Sequence, residues 1–176
     1  MQRPQPTATE RSFSEHEIIV SKTDLKGRMT YVNDVFCKVG LYEEEELLGQ
    51  PHSILRHPDM PRAVFHLLWQ RIQEGAEIFA YVKNMAKNGD FYWVLAHVTP
   101  SHDLQGKVDG YHSNRRLPGR NALAVIEPLY KRLLAEEQRQ ADRKLGMQAG
   151  AALLNDVLRE RQQGYDEFVL GLATMD

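Results

Sequence analysis

Three segments in the middle of the chain constrain its fold more than any other feature. They read EIFAYVKNM, FYWVLAHVTP and VDGYHSNRR, and each is rich in aromatic and β-branched residues. AKNGD, whose Asn-Gly pair is typical of a hairpin turn, joins the first two, and SHDLQGK joins the last two. Such residues favour strands, and such short links place consecutive strands side by side. We therefore predict three neighbouring antiparallel strands over residues 77–116.

The N-terminal half predicts two further strands and several short helices. EIIVSKTD and RMTYVND flank the turn DLKG, which is typical of a hairpin. From Asn33 the apolar period changes to that of short helical pieces, which Gly40 and Gly49 end.

A longer helix is predicted from about Pro61 to Gln73. Its apolar residues recur at spacings near three and four and share one face: Val64, Phe65, Leu68 and Ile72. Together these elements predict an α+β fold, a five-stranded antiparallel sheet with short helices on one face. A cavity between the two layers is the natural place for a ligand.

The C-terminal third predicts helices again. NALAVIEPLYKRLLAEEQRQADRK contains Pro128, which we expect to kink the helix or to reset its start. AGAALLNDVLRERQQ and GYDEFVLGLA predict two more helices. Their apolar stripes leave two interpretations open, packing on the sheet or contact with a partner or a second copy. The stripes contain Leu123, Ile126, Leu133, Leu153, Leu154, Val157 and Leu158.

These patterns divide the chain into three parts. Residues 1–14 hold Pro, Thr and Ser and predict a mobile tail. Residues 15–118 form the predicted domain of sheet and short helices, and residues 119–176 form a C-terminal helical extension.

Composition excludes several classes of function. The chain is 42% hydrophobic and 26% charged, which is typical of a globular protein, and its net charge of −2 gives no sign of nucleic-acid binding. Cys37 is the single cysteine, so no internal disulfide forms, as expected in a reducing cytoplasm. No apolar run approaches the roughly 18 residues of a membrane span. We therefore expect a cytoplasmic protein that reaches a membrane only through a partner, with no motif of an enzyme.

The stretch RHPDMP, residues 56–61, raises a question about ligand binding. Its prolines suit a rigid turn before a helix. Arg56 and Asp59 can form a local ion pair, Asp59 can cap the helix, and His57 can be a loop histidine without a ligand. The same three side chains can instead contact a ligand.

The order of these motifs resembles the PAS domain family over about residues 15–120. GRMTYVNDVFCKVGLYEEEELLGQPHSILRHPDMP resembles the first half of that domain, and VKNMAKNGDFYWVLAHVTP its central hairpin. GQPHSILRHPDMP and LWQRIQEGAEIFAYVKNMAKNGDFYW resemble the PAS domains of bacterial aerotaxis and energy-taxis receptors. The helical tail resembles small energy-taxis proteins in which the PAS domain stands alone and works with a separate membrane-bound chemotaxis transducer.

The resemblance implies non-covalently bound FAD and a sensor of redox state or oxygen-linked electron transport. It also implies a membrane-bound chemotaxis transducer as partner, with a homodimer through the PAS domain or the C-terminal helices as a further expectation. Matching this sequence to the family's motifs assigns cofactor binding to Asn33, Arg56, His57, Asp59, Trp69, Asn84 and Trp93.

The chemistry of FAD fits these residue types. A flavin pocket needs apolar walls, an amide at the ring edge and a cation for the phosphates. Asn84 offers both a donor and an acceptor, and Arg56 can bind phosphate at two points. The helix that begins near Pro61 is expected to present free N–H groups to an anion. The candidate wall residues are Phe65, Trp69, Phe79, Tyr81 and Trp93.

Two other readings of a PAS domain remain open. Trp69 and Trp93 can be core residues, and Asn84 can fix the hairpin, which would give a cofactor-free interaction module. The seven histidines admit a haem-binding gas sensor, although no His spacing typical of a metal or haem motif occurs. Cys37 precedes the short helices, so we expect a small buried apolar role for it and not a flavin adduct.

Overall fold

The fold is an α+β sandwich around one antiparallel sheet. In the computed structural model, which describes residues 4–175, the strands are β1 (Ile19–Asp24), β2 (Met29–Val32), β3 (Ile78–Met85), β4 (Phe91–His102) and β5 (Val108–Arg116). They lie in the order β2-β1-β5-β4-β3, and every neighbouring pair is antiparallel. The predicted five-stranded antiparallel sheet is therefore confirmed.

The helices of the N-terminal half connect β2 to β3. They are α1 (Asp34–Gly40), α2 (Glu44–Leu47), a short 3-10 helix (His52–Leu55) and α3 (Arg62–Gln73). The helix predicted from about Pro61 to Gln73 is confirmed. Pro61 has an extended backbone and immediately precedes the first helical residue. Proline suits this place since the first N–H groups of a helix have no partner within the helix.

The C-terminal extension folds as α4 (Arg120–Gln138), α5 (Arg143–Glu160) and α6 (Tyr165–Ala173). Pro128 lies inside α4, so the expectation that it resets the helix start is wrong. Proline removes one backbone hydrogen bond, but buried Leu129, Tyr130 and Leu133 hold the helix in place on the sheet.

The two faces of the sheet carry different layers. Because side chains alternate along a strand, Val82 and Ala96 face α3, whereas Tyr81 and Trp93 face the extension. The Tyr130 hydroxyl of α4 donates to the backbone oxygen of Tyr81 over 2.8 Å. The stripe of α4 is thus packed on the sheet, whereas that of α5 packs against α3 and α4.

The N-terminal segment lies against the hairpin of β3 and β4. The N–H of Thr7 donates to the Gly89 oxygen over 2.9 Å, and that of Arg11 donates to the Phe91 oxygen over 2.7 Å. Residues 7–11 of the predicted mobile tail are therefore hydrogen-bonded to the sheet, and residues 1–3 lie outside the described residues. The division of the chain at residues 14 and 118 stays a prediction.

None of the helices within residues 4–175 has both the length and the apolar character that a membrane crossing needs.

Candidate functional site

A cavity of about 240 Å³ lies between the inner face of the sheet and α3. This volume is just below the roughly 300–1,000 Å³ of typical small-molecule sites. It therefore suits the flat part of a larger ligand whose remainder extends through the open end. Lys26 and Ser53 are exposed residues of the lining, which places that opening beside the β1–β2 turn and the 3-10 helix.

The helix α3 supplies the apolar wall of the cavity. The spacing of its apolar residues turns Phe65, Leu68, Trp69 and Ile72 toward the sheet. The ring of Trp69 meets that of Tyr111 on β5 edge to face, with 5.6 Å between the ring centroids. The indole also lies against Gly27, where a larger residue would force the ring to shift, because a Cβ on Gly27 would lie 2.9 Å from the Trp69 ring.

The loop RHPDMP runs along the edge of β3. Arg56 forms an antiparallel bridge with Asn84, and the N–H of His57 donates to the Lys83 oxygen over 3.2 Å. The loop thereby covers an edge strand that would otherwise expose its backbone groups. Because neighbouring residues of the loop point in different directions, its side chains do not converge on one point.

Three of the seven predicted site residues line the cavity, namely Arg56, Trp69 and Asn84. The Arg56 guanidinium lies 3.6 Å above the centre of the Phe65 ring, a favourable cation–π contact. Asn84 is buried on the inner face of β3. These three residues place a cation, an indole and an amide on one cavity.

The other four predicted residues lie elsewhere. Asn33 caps α1 by accepting from the Phe36 N–H, and it also bonds Val20 and Ile18. Trp93 faces away from the cavity, 6.1 Å from the Tyr130 ring by centroids. Neither residue belongs to the lining of this cavity, because capping and strand alternation direct their side chains to the scaffold.

His57 and Asp59 also serve the loop. The buried His57 accepts from the Asp59 N–H at its Nδ1, over 3.1 Å. The Asp59 carboxylate pairs with Lys83 over 2.7 Å, in place of the predicted pair with Arg56. Burial acts to raise the pKa of Asp59, but the hydrogen bond and charge of Lys83 hold it below its usual value.

The start of α3 is capped by a residue far along the chain. The Glu137 carboxylate of α4 accepts from the N–H of Arg62 over 3.0 Å and from that of Ala63 over 2.8 Å. The predicted cap by Asp59 is therefore wrong, and the N–H groups of Arg62 and Ala63 are not free for an anion of a ligand, contrary to the expectation from the sequence. A contact between residues 74 or more positions apart carries no local signal in the sequence.

A polar cluster that was not predicted from the sequence belongs to the lining of the cavity, and it consists of Ser21, His52 and Arg115. Arg115 on β5 is 3% exposed, and its Nη2 donates to Ser21 Oγ over 2.7 Å and to His52 Nε2 over 2.5 Å. Burial lowers the pKa of Arg115 to about 10. Burial first, and then the charge of Arg115, lower the pKa of His52 to about 3, so His52 stays neutral.

Charge is distributed unevenly around the cavity. Lys26, Arg56 and Arg115 line it, and no carboxylate does so among the described residues. Apolar walls, a buried amide and excess positive charge fit a flat ligand that is edged with acceptors and carries negative charge, as FAD is. Within residues 4–175, no group of three or more His, Cys, Asp or Glu side chains could hold a metal ion.

Comparisons with known proteins agree with this architecture. Residues 29–115 match the model of the PAS fold family. The chain is 41% identical over 132 residues to the aerotaxis receptor of Escherichia coli, an alignment that covers 75% of this chain and 26% of the receptor. It is 28% identical over 99 residues to a nitrogen fixation regulatory protein of Klebsiella pneumoniae, covering 56% of this chain and 20% of that protein. The chain thus spans about a quarter or less of each of these relatives.

Solved structures show the same fold. The light-oxygen-voltage domain of the blue-light photoreceptor aureochrome 1 superposes with a TM-score of 0.55 at 19% identity, over 69% of this chain and 91% of that one. A light-oxygen-voltage domain studied with a flavin analogue also superposes with a TM-score of 0.55, at 17% identity, over 70% of this chain and 87% of that one. These likenesses confirm the predicted α+β class. The chain contains a domain of the PAS fold family, and it is similar in sequence to the aerotaxis receptor of Escherichia coli.

Proposed function

We propose that this chain is a redox sensor that binds FAD in the cavity and signals to a chemotaxis-type transducer. One observation carries the proposal: a cavity in a domain related to the aerotaxis receptor combines an aromatic wall, a buried amide and three cationic side chains, with no carboxylate among the described lining residues. When bound, FAD supplies a ring that accepts electrons and protons. The chain's own residues bind that ring, orient it and exclude water.

Each lining residue has a role in this proposal. Phe65 and Trp69 on α3 cover one face of the ring, and Val98 on β4 covers the other. Asn84 holds the polar edge through its amide, which can present a donor or an acceptor. Arg56 and the exposed Lys26 lie toward the opening, where they attract the pyrophosphate.

Signalling follows from a change in hydrogen bonding at the ring edge. When the protonation of the ring changes, the Asn84 amide must turn to remain paired. Asn84 lies on β3, whose outer face packs against the extension through Tyr81. The change thereby shifts the population of two conformations that differ in affinity for a partner. Such a protein senses and does not turn over a substrate, so we propose no enzymatic activity.

The binding part of the proposal is tested by filling the cavity. Val98 points into the cavity, whereas the adjacent Thr99 points to the opposite face of β4. Val98→Phe should reduce FAD per protein at least about tenfold, and Thr99→Phe should leave it unchanged. Released cofactor is identified by chromatography after denaturation, and circular dichroism confirms that both variants fold. Equal FAD content in the two variants would place the flavin outside this cavity.

The signalling part is tested by comparing two redox states. We place the protein in the cytoplasm, where it meets the cytoplasmic portion of a membrane-bound chemotaxis transducer. Affinity for that portion is measured with the FAD-loaded protein oxidised and then reduced under anaerobic conditions. The proposal predicts a difference of at least about fivefold, the lower end of typical coupling between sites. Equal affinities would contradict it.

A further inference from the structure

The lining of the cavity contains a buried cation, Arg115, with no carboxylate among the lining residues that the structure describes. The Arg115 side chain is engaged at Nη2 by Ser21 and His52, both neutral. Its second terminal nitrogen, Nη1, is buried and has no hydrogen-bond partner among the described residues. A buried polar group without a partner is rare and unfavourable in native proteins.

The surroundings of Arg115 do not neutralise it. No Asp or Glu belongs to the described lining of the cavity, and the other charged residues there, Lys26 and Arg56, are also cations. The nearby ring of Phe36, 5.3 Å from the guanidinium carbon, offers only its weakly negative face. A buried guanidinium normally pairs with an anion, so this one lacks the partner that its environment requires.

The cluster also fixes the direction of the guanidinium. His52 accepts the Nη2–H at its Nε2, so the neutral ring carries its proton on Nδ1. Ser21 accepts at the same nitrogen of Arg115. With Nη2 anchored, Nη1 is the terminal nitrogen of the planar guanidinium that remains for a ligand group.

We infer that Arg115 binds the acceptor-bearing edge of the cavity's ligand and favours the form of that ligand which carries negative charge there. For FAD this inference rests on the proposed function. Two electrons and one proton convert the neutral ring into a singly negative one, and dithionite supplies the electrons in the test below. Arg115 should therefore bind the reduced ring more tightly than the oxidised ring, because a positive charge beside the ring tunes its electronic state.

The redox test uses variants of one strand. Arg115→Gln and Arg115→Met remove the charge, Arg115→Lys keeps it, and Arg116→Gln is the matched control, since Arg116 is exposed on the opposite face. FAD affinity is measured for both redox states, together with the midpoint potential. Loss of the charge should weaken binding of reduced FAD at least about tenfold more than binding of oxidised FAD. For a two-electron couple this is a shift of about 30 mV to a more negative potential.

The outcomes separate this inference from the proposed function. Arg115→Lys should keep most of the wild-type potential, and Arg116→Gln should keep all of it. Suppose that the wild-type protein binds FAD and that a folded neutral variant, Arg115→Gln or Arg115→Met, keeps the wild-type midpoint potential. This result would overturn the role of Arg115, and the proposal of flavin binding would stand.

If wild-type protein takes up no FAD, the proposed function fails and a second measurement decides the inference. Benzoate and benzamide have nearly the same shape and differ in charge, so thermal shifts with each probe the cavity directly. Benzoate should stabilise the wild-type protein and Arg116→Gln more than Arg115→Gln, and benzamide should show no such preference. Equal shifts with benzoate in all three proteins would overturn the inference.

Discussion

The side chains of the stretch RHPDMP lie in three different environments although the residues are neighbours in the sequence. Arg56 enters the cavity, His57 is buried under the loop, and Asp59 pairs with Lys83 on the outer face. One extended loop along the edge of β3 separates the three side chains. The six residues of this motif are therefore divided between the lining of the cavity and the scaffold.

Replacing Arg56 tests the binding role that is left to this motif. Arg56→Ala should weaken FAD binding about tenfold to a hundredfold, because a hydrogen bond to a charged group contributes roughly 1.5–3 kcal/mol. The fold should remain intact, since Arg56 is only half-buried. Arg132→Ala, an exposed arginine on α4, is the control and should bind FAD as the wild type does. Equal affinities of the two variants, measured by fluorescence titration, would remove Arg56 from the site.

His52 should make the protein less stable in acid. Its pKa is about 3 in the folded protein, against about 6.5 in an unfolded chain. Between these values the unfolded state binds a proton that the folded state does not. The free energy of unfolding therefore falls as pH decreases from 6.5 toward 3, by up to about 1.4 kcal/mol per pH unit from this group.

The contribution of His52 is isolated by substitution. His52→Gln keeps an acceptor for Arg115 but cannot titrate. Urea denaturation at pH 7, 6 and 5 should give a shallower loss of stability for this variant than for the wild type. Identical slopes would show that His52 is protonated in the folded protein.

At the scale of elements, the sequence predicts the strands and α3 well and the site only in part. Strand and helix periods are local, so β3, β4, β5 and α3 appear where the patterns place them. The role of Arg115 depends on the register of β5 against β1 and β4, which pairs it with Ile19 and Ala96. Register between strands distant in sequence cannot be read from one strand alone. The Glu137 cap also joins residues far apart in the sequence, so the sequence around α3 alone does not predict it.

The turn between β1 and β2 should control the position of Trp69. Gly27 and Gly106 both have positive φ, at 75° and 79°, but only a Cβ on Gly27 would meet Trp69. Gly27→Ala and Gly106→Ala should share a backbone strain of about 1–2 kcal/mol. Only Gly27→Ala should also lower FAD affinity, because the indole must move. Equal affinities in a titration of both variants would show that the indole position does not matter for binding.

The Glu137 cap should stabilise α3 and, with it, the cavity wall. Glu137→Ala removes the acceptor of two backbone N–H groups and leaves a void beside Gly150, so we expect a loss of at least about 2 kcal/mol. Glu136→Ala breaks only an exposed pair with Arg139 and should cost less than about 1 kcal/mol. Urea denaturation measures both variants. Equal stabilities would mean that the cap contributes nothing.

At the scale of the whole molecule, the extension and the PAS domain share one core. Residues of the extension and of the sheet belong to the same buried cluster, and the ion pair of Arg71 with Asp166 joins α3 to α6. Together with Glu137, this pair ties the extension to both ends of the cavity wall. The cavity wall therefore contacts both α4 and α6, whose outer surfaces are where we expect a transducer to bind.

Flavin binding is tested by the visible absorption spectrum of the purified wild-type protein, recorded before and after FAD is added. We expect yellow protein with the bands of oxidised flavin, which dithionite bleaches. Protein that stays colourless after FAD is added would contradict this expectation and favour a cofactor-free interaction module, and a Soret band would favour haem.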